Sequence, residues 1–270
     1  MVVLLIFTKN RGILMKIYYI ANTGFLLEHN DKKVLIDAIH TKQVDPYHSV
    51  DPDTINKIIA GAPPFNDLDL LLFTHYHWDH FDGETSLEVL INQPKLKLFS
   101  SKQTVQYLKT LSNYNTSLDN QIEYGDVDIK DIKEFNVNGI NFSVASMIHD
   151  GAKFSNVVNF SYIVKMDGIT VFHCGDAKPD QSNYESFSLY KQNISIALLD
   201  FPYVSLIPGR KVINTFITPQ KILLMHLPNE KKDIYNWIST TNKIIDRYGH
   251  ELPEIILCED LNTTVVDFPQ

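Results

Sequence analysis

Thr74-His75-Tyr76-His77-Trp78-Asp79-His80 follows directly on the apolar run Leu68-Asp69-Leu70-Leu71-Leu72-Phe73. Three imidazoles and one carboxylate fall within six residues of a chain that has ten histidines among 270 residues. A metal-binding loop at the end of a buried strand accounts for that concentration. The spacing excludes a zinc helix of the H-E-x-x-H type, whose ligands stand at i and i+4 on one helical face. Here the histidines stand at i, i+2 and i+5 with the acid at i+4. That suits an extended or turning backbone, where side chains two apart point the same way. His75 and His77 can then grip one ion while Asp79 and His80 reach toward a second.

Upstream of the loop, strand-like segments at 16–21, 23–29 and 32–38 form a β-meander, broken by Asn22 and by the turn signal His29-Asn30-Asp31. A helix is predicted over 53–60, ended by Gly61 and Pro63-Pro64. Next come a strand at 69–74, a helix at 85–93, a strand at 96–100 and a helix from Ser101, while 111–125 reads as a surface loop. A second strand-rich half carries hairpin signals at Asn138-Gly139 and Asp167-Gly168 between alternating apolar runs. Strands at 194–200, 221–226 and 254–258 and helical spacing over 229–247 complete it. Two β halves, each followed by helices, imply an α/β (α+β) fold in which two sheets pack face to face between helices. Without repeats or a linker, residues 15–270 are expected to form a single domain, with 1–14 as an N-terminal extension ahead of Met15-Lys16-Ile17.

The bulk properties narrow the function. With 44% hydrophobic residues the chain can bury a core, and a net charge of −8 argues against a nucleic-acid partner, which needs clustered Lys and Arg. Two distant cysteines, Cys174 and Cys258, form no C-x-x-C pair, so neither a disulfide framework nor a thiolate zinc site is suggested and a cytoplasmic setting is expected. No run approaches the roughly 20 apolar residues of a membrane span. The apolar run at Val2–Phe7 lacks the basic flank and cleavage site of a secretory signal.

Isolated acids and histidines end four other apolar strands: Asp37 after Lys33–Ile36, His149 after Phe142–Ile148, Asp176 after Val171–Gly175, and His226 after Ile222–Met225. In that order, Asp, H-x-H-x-D-H, His, Asp, His, the chain resembles the metallo-β-lactamase superfamily of binuclear hydrolases across about residues 16–260. The flanks look most like the branch holding ascorbate-6-phosphate lactonase-like and N-acylphosphatidylethanolamine phospholipase D-like proteins. The resemblance implies a four-layer αββα sandwich. It also implies His75, His77 and His149 on one ion, Asp79, His80 and His226 on the other, Asp176 bridging both, and Asp37 fixing the ligand loop from behind.

Five imidazoles and two carboxylates, with no thiolate, suit two divalent ions, Zn²⁺ first and Mn²⁺ or Fe²⁺ as alternatives. A structural zinc site would usually close its shell with cysteines, and none lies near the loop. The expected activity is hydrolysis of a small ester-type substrate, a lactone, other carboxylic ester or phosphodiester, by a metal-bridging hydroxide that Asp79 orients. An iron-dependent oxidoreductase of the same fold and a non-catalytic binding protein are the alternatives. Tyr203 and Arg210, between two predicted strands, are candidate substrate contacts. The remaining histidines, His29, His40, His48, His173 and His250, read as structural or exposed.

Overall fold

The computed structural model describes residues 2–8, 12–258 and 264–267. Two mixed sheets carry the fold. Across the first run β15 (Thr264–Asp267), β1 (Val2–Thr8), β2 (Gly12–Ala21), β3 (Gly24–His29), β4 (Lys32–Ile36), β5 (Leu70–Leu72), β6 (Lys97–Ser101) and β7 (Ile122–Gly125). Across the second run β14 (Glu254–Leu257), β13 (Lys221–Met225), β12 (Ile196–Asp200), β11 (Ile169–His173), β10 (Val158–Met166), β9 (Ile140–Ile148) and β8 (Ile132–Val137).

The meander β2–β3–β4 is antiparallel, whereas β4 to β7 are parallel, so each step between them needs a crossover. Those crossovers carry α1 (Pro52–Ala60), α2 (Gly83–Asn92) and α3 (Lys102–Leu108). Each helix is started by a side-chain cap, Asp51, Asp82 and Ser101 accepting from Thr54, Thr85 and Thr104 backbone N–H groups. Strand alternation then sorts the apolar residues between two cores. Phe25, Leu27, Val34, Ile36, Leu70 and Leu72 face the second sheet. Their neighbours Leu26, Leu35 and Leu71 face Ile58 of α1, Leu87 and Leu90 of α2 and Leu108 of α3. Against the second sheet pack α4 (Gln181–Tyr184), α5 (Phe201–Ser205), α6 (Ile207–Val212) and α7 (Trp237–Tyr248), whose Tyr184, Val204, Val212, Ile238 and Ile245 belong to the same hydrophobic cluster as that sheet. The layers are the helix–sheet–sheet–helix order expected from the sequence.

Three segments differ from expectation. Residues 111–125 are not all loop, because Ile122–Gly125 pair with β6 as β7 after a short 3₁₀ turn at Thr116–Gln121. Only Ile122 and Gly125 of that strand are buried, which leaves too little periodicity to see. Residues 201–217, for which the sequence predicts no element, are helical, α5 and α6 running on into a π-turn at Ile213–Ile217. Within 1–14, Val2–Thr8 pair with β2 on one side and β15 on the other, which gives this segment a place in the sheet. Among the described residues no helix is long and apolar enough to cross a membrane.

Phe25 sits fully buried between the sheets, so Phe25→Ala is expected to cost about 3–5 kcal/mol of unfolding free energy in urea titration. Exposed Glu134→Ala on β8 is expected to stay within about 0.5 kcal/mol. Equal effects would mean that the intersheet layer is not the main core.

Candidate metal centre

The parallel strands of both sheets end at one edge of the sandwich, where open α/β sheets usually hold their sites. Asp37 leaves β4, Thr74 to His80 leave β5, Asp176 lies just beyond β11, Asp200 closes β12 and His226 leaves β13. His149, after the antiparallel strand β9, completes the ring by bridging to Ala177. Seven expected ligand residues, three from the histidine loop and the rest from strand ends or that loop's acid, therefore come together.

Asp37 organises the loop. Its fully buried carboxylate accepts hydrogen bonds from Thr74 N (2.8 Å) and Thr74 Oγ1 (2.6 Å) and lies 2.8 Å from His80 Nδ1. With the Nδ1 proton given to Asp37, the other nitrogen, Nε2, presents its lone pair to the cluster. His149 is set the same way, its Nδ1 donating to Asp150 O at 2.5 Å. Asp176 is held by its backbone N–H, which donates to Asn159 Oδ1 at 2.9 Å. Gly175 precedes it at φ +57°, and a Cβ there would lie 2.4 Å from that same Oδ1 and 2.9 Å from Thr74 Cβ. Only glycine fits both the left-handed backbone and the space.

Two groups of donors result. In the first, His75 Nε2, His77 Nδ1 and His149 Nε2 lie 2.9, 3.2 and 3.3 Å from one another. Ligands at about 2.0–2.1 Å from a tetrahedral zinc are about 3.3–3.4 Å apart, so the triangle already has nearly the size an ion requires. In the second, His226 Nε2 stands 3.4 Å and His80 Nε2 4.0 Å from Asp79 Oδ2. Asp176 divides its oxygens between them. Oδ2 faces His149 (3.4 Å) and His75 (3.8 Å), while Oδ1 faces His80 (3.0 Å) and His226 (3.9 Å).

These residues fit bound cations. His80 Nε2 and Asp176 Oδ1 approach to 3.0 Å yet neither has a hydrogen-bond partner, although both are buried. Buried polar atoms are normally paired, and a shared cation supplies what is missing. The donors are nitrogen and oxygen only, which suits Zn²⁺, Mn²⁺ or Fe²⁺.

Protonation differs between the groups. Burial holds His75 well below the usual histidine range and lowers His77 to about 4, helped in both by neighbouring imidazoles. Burial would also lower His80 and His226, but Asp176 outweighs it, together with Asp79 beside His80 and Asp200 beside His226. His80 is held well above the usual range and His226 rises to about 9. Burial likewise opposes the charge on Asp79, which the His80 and His226 charges nevertheless pull down to about 2.

Tyr203 and Arg210, expected as candidate substrate contacts, are used elsewhere. Tyr203 is fully buried, bonded to the Tyr184 hydroxyl and donating to Ala177 O. Arg210 donates to the Val204 and Ser205 carbonyls that end α5 and stacks over Tyr248. His173 is structural, as expected, its Nε2 donating to Thr23 O and its Nδ1 accepting from Gly175 N. Two site residues were not expected. Asp200 groups with Asp176 and His226, its carboxylate leaving α5 uncapped, and the Tyr47 ring lies 4.0 Å from that of His226. Asp200 ends the apolar strand Ile196–Leu199, the signal that identified Asp37 and His226; Tyr47 sits on a loop that carries no such signal.

Known proteins share this fold. Residues 16–226 match the family model of the beta-lactamase superfamily domain. A UPF0173 metal-dependent hydrolase of Pyrococcus furiosus is 28% identical over 69% of this chain and 72% of its own length. A solved structure described as a possible metal-dependent hydrolase, from Veillonella parvula, superposes with a TM-score of 0.63 at 16% identity, covering 92% of this chain and 98% of the other. CmlA, a diiron β-hydroxylase of Streptomyces venezuelae, superposes with a TM-score of 0.57 at 10% identity over 90% of this chain and 52% of its own. At these identities the two structures show the fold alone.

Imidazole must be neutral to bind an ion, so the two groups are expected to load differently. At pH 7 zinc should displace protons from His80 and His226 but not from His75 and His77, and affinity at the first pair should fall as pH falls. Calorimetric titration in buffers of contrasting ionisation enthalpy measures this, and equal proton release for every bound equivalent would contradict it. In the ion-free protein the raised His226 adds stability that is complete below its unfolded value near 6.5 and is lost as pH rises through about 9.

Proposed function

As the chain belongs to the metallo-β-lactamase superfamily, we propose that it is a binuclear metal-dependent hydrolase acting on a small ester-type substrate, a carboxylic ester, lactone or phosphodiester. The observation that carries the two-ion reading is the split of Asp176, whose two oxygens face different groups of nitrogens. His75, His77 and His149 would hold one ion, Asp79, His80 and His226 the other, with Asp176 between them. Bound there, the pair would supply Lewis acidity that brings the pKa of a water from about 15.7 toward 7 and offsets charge developing on the substrate.

The residues of the chain do the rest. Asp79 is buried apart from a small exposed part of its carboxylate, and its charge is maintained by His80 and His226, so it can accept a hydrogen bond from the attacking water and fix its direction. Asp37 and Asn159 hold His80 and Asp176 in place before substrate arrives, which leaves little reorganisation for the reaction itself. Phe154 and Tyr47 cover the groups on either side, against His77 and His226 respectively, and limit bulk water. The thiol of Cys174 is not a nucleophile in this scheme, since it is fully buried and burial holds it well above its ordinary range.

Purified protein loaded with Zn²⁺ or Mn²⁺ should hold about two equivalents and hydrolyse at least one member of a panel of lactones, aryl esters and bis-aryl phosphodiesters, with a chelator abolishing turnover. One equivalent or none under metal-replete conditions would sink the two-ion reading. Bound iron with redox-active spectra and no hydrolysis would replace it with an oxidoreductase. Asp79→Ala should abolish turnover and weaken one equivalent, whereas Asp37→Asn should leave the ligand set intact but cost roughly 10–100-fold in metal affinity or activity.

A further inference from the structure

The metal centre opens into a cleft of two lobes that meet at Tyr47, Phe154, Asp176, His226 and Trp237. The larger lobe, about 780 Å³, runs past Tyr76, Trp78, Tyr107 and Tyr235. The smaller, about 450 Å³, runs past Phe201, Pro202 and Leu206, with Asp150 and Asp200 also in its wall. Both volumes lie within the range of small-molecule sites, and the reacting groups stand where the lobes join. A substrate whose scissile bond lies at Asp79 and Asp176 therefore extends in two directions.

The walls say what the arms are made of. Both tryptophans of the chain, Trp78 and Trp237, line the larger lobe. Trp237 stacks with Tyr235 at 5.0 Å between centroids, and Tyr76 packs against Tyr107 at 5.8 Å. Trp78 and Tyr235 stay 54% and 62% exposed although Lys42 lies over the Trp78 ring, 3.7 Å from its centroid, and Trp237 stacks against Tyr235. Among the described residues that line the larger lobe, the charges other than the ligand residues are Asp45, which pairs with Lys232, and Lys153, while Lys42 lies beside the lobe over Trp78. An arm bearing its own phosphate would call for a fork of Arg or several Lys, which this lobe lacks. Flat rings at the wall favour an uncharged π-system, which gains from offset stacking beyond its buried area.

Resting on the metal-hydrolase reading above, we propose that the substrate is an ester-type molecule with an uncharged aromatic group on one side of the scissile bond and a shorter apolar group on the other. The aromatic group stacks between Trp78 and Tyr235 in the larger lobe. The shorter group fills the space against Leu206.

The test compares two non-hydrolysable probes with the same head and different arms, 2-naphthylmethylphosphonate and methylphosphonate, titrated calorimetrically into the zinc-loaded protein. The naphthyl probe is expected to bind at least about tenfold tighter and to change tryptophan fluorescence saturably, since both tryptophans stand at the lobe. Trp78→Ala and Tyr235→Ala should each remove most of that advantage and leave methylphosphonate binding unchanged, which also reports that the centre is intact. Equal affinity for the two probes would overturn the aromatic-substrate proposal and leave the hydrolase reading standing. Binding of neither probe to protein carrying its metal would overturn both.

Discussion

One buried carboxylate sets the geometry from which the site follows. Asp37 has no exposure, and its carboxylate's partners all lie on the histidine loop: a backbone N–H and a hydroxyl from Thr74, and the ring of His80. A buried carboxylate without such partners would cost several kcal/mol, so the loop has little freedom to move away from it. Asp37 also sits at φ +45°, a conformation sparsely used by residues other than glycine. The chain accepts that strain where it directs an acid inward between two neighbouring parallel strands.

The centre belongs to neither sheet alone. The first sheet supplies the loop with His75, His77, Asp79 and His80, and the second supplies His149, Asp176 and His226. Polar bonds between the sheets keep these halves in register. Tyr162 donates to Phe73 O, Phe160 N to Thr74 O, and His226 N to Asn22 O. Each of these ties a proposed ligand, or a residue within two positions of one, to the opposite sheet, so small shifts of one sheet over the other would be felt at the donor atoms.

Much of this was legible in the chain. The histidine loop announced itself by composition, and Asp37, His149, Asp176 and His226 by standing at the ends of apolar strands, because strand alternation and burial leave a mark that a single sequence shows. The layer order followed from the same pattern. Asp200 carries the identical mark, yet the residues that the family resemblance implies do not include it. Tyr203 failed in the opposite way. Placed between two predicted strands it reads as able to reach substrate, but Pro202 at the first turn of α5 starts a helix that turns its ring into the core. The cleft could not be read at all, because Tyr47, Trp78, Phe154 and Tyr235 lie far apart in sequence and meet only once the loops are folded over the strand ends.

The division of the proposed ligands between sheets would give a bound metal a second role besides chemistry. On the proposed two-ion reading, a cation shared by Asp176 and the imidazoles on either side would act as a reversible staple across the sandwich, joining two layers that otherwise adhere through side-chain packing and a few hydrogen bonds. Since only the assembled sandwich presents the full ligand set, occupancy adds to folding stability by mass action, about 4 kcal/mol at a free-ion concentration a thousandfold above the dissociation constant. The cell's supply of the ion would then set how long the molecule lasts as well as how fast it works.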